Sequence, residues 1–114
     1  DELAKEADID YLTGLTGSGP AFPALLAAAM MEDAVAQGIS PEVAQRSVNA
    51  VLVGTGRLVE ARAESPADVV RTFVDYRGTT AAAIEAMRAA GFEAAVSRGL
   101  AAALSKSVRM GEES

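Results

Sequence analysis

The chain has 114 residues, half of them apolar but only 4% aromatic, and a formal net charge of −6, so it has length for one domain and not two. It contains neither cysteine nor histidine, which removes disulfides, thiolate nucleophiles and zinc-finger sites, along with the commonest general base and transition-metal ligand. Its acidity, and basic residues that form no run, argue against a nucleic-acid partner, because phosphate binding needs a basic patch.

The punctuation is helical. An acidic, mixed start leads to a short helix over roughly 8 to 14, with Ile9 and Leu12 as anchors. Gly14, Gly17, Ser18, Gly19 and Pro20 follow. Proline suits a first helical position, where its missing N–H would have no partner, so Ser18 or Gly19 is expected as the cap. Phe22, Leu25, Leu26, Ala29, Met30 and Ala34 repeat at helical spacing up to a stop at Gly38. The longest apolar stretch here, Ala21 to Met31, is about half of what a bilayer-spanning helix needs, so no membrane partner is expected.

Ser40, Pro41 and Glu42 read as cap, first position and first-turn acid of a further helix. Its expected buried stripe is Val48, Val51, Leu52, Thr55, Leu58 and Val59, ending near Arg62. Gly54 and Gly56 lie inside it, each costing about 1 kcal/mol against alanine, so a close helix crossing is expected there. Ser65 and Pro66 start a short helix ending near Val74, and "DYRGTT" reads as a linker. Ala81 to Ala90, with Ile84 and Met87 inward, stops at Gly91. Phe92, Val96, Leu100, Ala103 and Leu104 mark the last helix, fraying after Val108. No run alternates like a strand. The expected class is all-α: five main helices plus a short N-terminal one, in a single domain over 1–114.

"TGLTGSGPAFPALL", residues 13 to 26, raises the question of a phosphate cradle. A dinucleotide fingerprint needs G-x-G-x-x-G between a strand and a helix. Here Pro20 follows Gly19, Phe22 stands where the third glycine belongs, and no strand precedes. A Walker A loop would end in Gly-Lys-Ser/Thr, which is missing. The residues alone favour a turn into a proline-started helix.

The same stretch carries a resemblance. "TGLTGSGPAF" followed by an alanine-rich helix resembles the helix entry of the C-terminal domain of the pyrroline-5-carboxylate reductase family. "AVAQGISPEVAQ" resembles that family's helix break, and Gly54 and Arg57 fall where the family has glycine and a basic residue. "ESPADVVRTFVDYRGTTAAAIEAMRAAGFEAAV" resembles the segment that usually reads S-P-G-G-T-T before a helix. The similarity runs from about Leu12 to Met110. It implies an interlocked helical dimerisation domain of the 6-phosphogluconate dehydrogenase C-terminal-like type. It also implies that NAD(P)H is bound by an N-terminal Rossmann domain missing from this chain, with no cofactor or metal site here. The first residue, Asp1, and the lack of a visible leader fit a cytoplasmic chain that starts where another domain ended.

The best place for chemistry is residues 75 to 80. A helix starting near Thr79 points unpaired N–H groups and a positive dipole end outward, a natural seat for a carboxylate. Gly78, Thr79 and Thr80 match the turn that the family resemblance implies for a small amino-acid-like carboxylate. Asp75, Tyr76 and Arg77 stand where the family usually has Ser, Pro and Gly. Asp75 replaces a hydroxyl donor with a negative charge. Arg77 is either a bidentate partner for the carboxylate or a partner for Asp75, and an ordinary capped turn with a solvated Asp–Arg pair is the competing reading. Arg71 stands where the family often has Asp and reads as solvent-facing. Met30 and Met31 read as packing residues, and adjacent Glu32 and Asp33 point apart, a poor acid–base pair. No catalytic residue is visible.

The resemblance implies the C-terminal domain of an oxidoreductase that reduces a cyclic imine to proline or a related amino acid, acting as a homodimer, with higher oligomers left open. The alternative is a non-catalytic helical dimerisation or ligand-binding module built on the same fold.

Overall fold

The computed structural model describes residues 6–76 and 78–113. They form six helices: α1 (Glu6–Ser18), α2 (Ala21–Ala36), α3 (Pro41–Ala61), α4 (Pro66–Tyr76), α5 (Gly78–Ala89) and α6 (Phe92–Glu113). No strand occurs among the described residues, and the class is all-α.

The helix boundaries follow local chemistry. Gly38 adopts φ +100°, and the Ile39 and Gly38 N–H groups donate to Ala34 and Val35 carbonyls at 3.1 and 2.9 Å. This is the Schellman pattern, which a left-handed glycine closes without steric cost. Ser40 then caps α3, its Oγ accepting from the Val43 N–H at 3.3 Å, with Pro41 in the first turn. Ser65 caps α4 in the same way, accepting from the Asp68 N–H at 3.2 Å. Gly91, at φ +96°, separates α5 from α6.

The chain divides into two compact units, one of residues 1–22 with 90–114 and one of residues 23–89. In the first, α1 packs on α6. Gly14 is buried at this contact, and a Cβ there would lie 3.5 Å from Ala103 Cβ. The half-buried face of α6 is Val96, Gly99, Leu100, Ala103, Leu104 and Ser107. Val96, Leu100, Ala103 and Leu104 of the expected stripe are there; Phe92 is exposed. Phe22 covers Gly99, its ring 3.4 Å from where a Cβ would sit. The helix does not end at Val108 but runs to Glu113.

The glycine-rich start also differs from expectation. Gly14 and Gly17 are inside α1, which continues to Ser18, so the turn shrinks to Gly19 and Pro20. The Gly19 N–H donates to the Leu15 carbonyl at 3.0 Å, and any Cβ at Gly19 would collide with that same oxygen. Thr13 and Thr16 hydroxyls donate back to the Ile9 and Leu12 carbonyls at 2.8 and 2.9 Å, a local bond that helices tolerate. Gly14 and Gly17 thus mark a helix with a small-residue face, with Gly14 set against α6.

In the second unit the buried apolar side chains are Ala44, Val48 and Val69. The expected stripe of α3 is only partly covered. Val48 is buried and Leu58 half-buried, but Val51 is 53% exposed, and Leu52, Thr55 and Val59 are exposed as well. A Cβ at Gly54 or Gly56 would meet open space, so no crossing within the chain explains them. The α2 stripe is only partly met: Phe22 and Ala34 are half-buried, as are Ala27 and Met31, but Leu25 is 72% exposed, with Leu26, Ala29 and Met30 also outward. On α5, Ile84 is half-buried as expected but Met87 is exposed. A helix this apolar on every side is normally enclosed.

Candidate functional site

The expected site lies where α4 meets α5. The sequence starts α4 firmly: beyond the Ser65 cap and Pro66, Asp68 sits in the first turn, where the helix dipole favours negative charge. Arg71 donates to the Asp68 carboxylate one turn earlier, and the Thr72 hydroxyl donates to the Asp68 carbonyl at 3.1 Å. The Arg71 hydrogen bond, followed by that from Ser65, holds the Asp68 carboxyl below its ordinary value. Just before the helix, Arg62 grips Glu64 with two hydrogen bonds of 2.6 and 2.9 Å, lowering the Glu64 pKa. Arg71 is therefore a surface side chain engaged within α4.

The far end of α4 is less well matched. The helix runs to Tyr76, past the expected stop near Val74, and its last turn contains Asp75 but no basic residue. A carboxylate at the negative end of a helix is unfavourable by about 0.3–1 kcal/mol when exposed, and Asp75 is exposed.

Helix α4 includes Asp75 and Tyr76 and α5 includes Gly78, Thr79 and Thr80, so the described residues of the expected linker are helical. Arg77 lies outside the described residues. Gly78, Thr79 and Thr80 form the first turn of α5, which carries no acidic residue, while Arg88 sits in its last turn. The first N–H groups of a helix have no intrahelical acceptor. Gly78 and Thr79 are exposed and Thr80 is half-buried. Gly78 and the two hydroxyls of Thr79 and Thr80 thus stand together in the first described turn of a 12-residue helix. Gly78 leaves open space where its Cβ would be, so an approaching anion meets no side chain from that residue.

Other functional chemistry is sparse. Among the described residues no group of three Asp or Glu side chains is placed to hold a metal, and no helix is long and apolar enough to cross a membrane. The glycine run offers no phosphate loop, because residues 13 to 18 are helical and the preceding residues are helical too. Val51, Leu52 and Val59 on α3, and Leu25, Leu26 and Met30 on α2, are exposed in the single chain. The α3 residues belong to the stripe expected to be buried, whereas α2 is the helix that the family resemblance sets against a partner subunit.

Comparison with known proteins decides the family. The family model described as pyrroline-5-carboxylate reductase dimerisation matches residues 6–110. The chain belongs to the pyrroline-5-carboxylate reductase dimerisation family. It is 37% identical to the pyrroline-5-carboxylate reductase of Pseudomonas aeruginosa over 111 residues, 97% of this chain and 41% of the relative. It is 30% identical to that of Synechocystis over 105 residues, 92% of this chain and 39% of the relative. The fold matches a crystal structure of Plasmodium falciparum pyrroline carboxylate reductase with NADP bound, at TM-score 0.84 and 27% identity, over 94% of this chain and 42% of that one. The chain thus spans about two fifths of the length of the reductases it matches. The stretch aligned with the dimerisation family includes the α4–α5 junction and the uncovered faces of α2 and α3.

Proposed function

We propose that this chain is the C-terminal dimerisation domain of an NAD(P)H-dependent pyrroline-5-carboxylate reductase, and that it supplies the subunit interface and the carboxylate end of the substrate pocket. The observation that carries the reading is the apolar stripe of α3 left uncovered at Val51, Leu52 and Val59 in a member of a dimerisation family. A second copy, interlocked through α2 and α3, covers that stripe and brings a facing backbone to Gly54 and Gly56.

The chain itself offers NAD(P)H no phosphate cradle, since Gly14 and Gly17 are part of α1 and only Gly19 and Pro20 form a turn. We therefore assign the cofactor to a preceding Rossmann domain, in keeping with the NADP held by the Plasmodium relative. The work left to this chain is binding and orientation. The N–H groups of Gly78, Thr79 and Thr80 receive the substrate carboxylate, and charge-assisted bonds from N–H and hydroxyl groups are the stronger kind. Asp75 opposes that charge, so Arg77 either neutralises Asp75 or meets the carboxylate directly.

The test uses the full-length protein, with pyrroline-5-carboxylate and NAD(P)H as substrates. Reduction to proline is expected, with Thr79→Val and Thr80→Val raising KM more than they lower kcat. Arg77→Gly is expected to weaken carboxylate affinity, and adding Asp75→Ser to restore it. Absence of reduction, together with a gene that encodes no βαβ unit upstream of Asp1, would overturn the enzymatic reading in favour of a non-catalytic dimerisation module. If activity is present but none of these substitutions alters affinity, the α4–α5 junction is only a helix boundary.

A further inference from the structure

We draw no further inference here: the strongest candidate, the groove between α1 and α6 floored by Gly14, Gly17 and Ala103 and rimmed by Lys106 and Ser107, is a stripe of small residues beside exposed polar side chains, and nothing in the structure shows what covers it.

Discussion

Leu25 offers the sharpest test of assembly. It is 72% exposed in the single chain, a heavy exposure for a leucine on an apolar helix. Leu25→Ala deletes three carbons, together worth about 2.4 kcal/mol when fully buried at roughly 0.8 kcal/mol per carbon. If a second copy covers the exposed share, the loss at the interface is about 1.7 kcal/mol per protomer. A two-fold interface counts each residue twice, so the dimer should weaken by about 3.5 kcal/mol, or roughly 300-fold in Kd at 1.4 kcal/mol per decade. The isolated protomer should lose only about 0.7 kcal/mol, partly offset by alanine's better helix propensity. Sedimentation equilibrium across nanomolar to micromolar concentration measures the dimer constant, and circular dichroism checks that the protomers remain helical. A dimer constant unchanged within threefold, with helicity intact, would refute the assignment of this face to the interface.

Gly54→Leu should also disrupt assembly, since the open space at that position is where a partner backbone is expected; an unchanged dimer on size-exclusion chromatography with light scattering contradicts this. Gly14→Ala should be neutral or stabilising, because its Cβ would meet Ala103 at an ordinary 3.5 Å and alanine is the better helix former by about 1 kcal/mol. Gly14→Leu should cost about 1–3 kcal/mol by overpacking the α1–α6 contact, and urea unfolding of the two variants tests the contrast. Asp68 should titrate below its ordinary 3.8 because Arg71 and then Ser65 hydrogen-bond to it. Its contribution to stability is present above that ordinary value and is lost as pH falls through the lower folded-state value. Arg71→Gln should move the Asp68 titration upward by NMR, and a titration unmoved by the substitution would remove the pair as the cause.

The features legible in the sequence were those whose physics is local. Ser40–Pro41 and Ser65–Pro66 announce helix starts because cap and proline act within one turn, and Gly38 and Gly91 announce stops because each takes a positive φ. Gly14 and Gly17 were not legible in this way, since glycine serves loops and close contacts alike and the residue facing Gly14, Ala103, is distant in sequence. The rotation of the α2 face toward Ala27 and Met31 was hidden by composition: when these are as apolar as Leu25 and Leu26, spacing cannot select the inner side.

Helix α3 is divided along its length. Its first turns hold Ala44 and Val48 buried, while Val51, Leu52 and Val59 on the same side remain open. Backbone protection in a lone protomer should therefore be graded. Amides near Val48 would exchange with solvent only on larger openings, and those beyond Val51 would exchange through local fraying, which needs little energy where few apolar contacts resist it. On the proposed pairing that gradient should vanish, with the C-terminal half of α3 drawing its rigidity from the other molecule. The melting temperature should then rise with concentration.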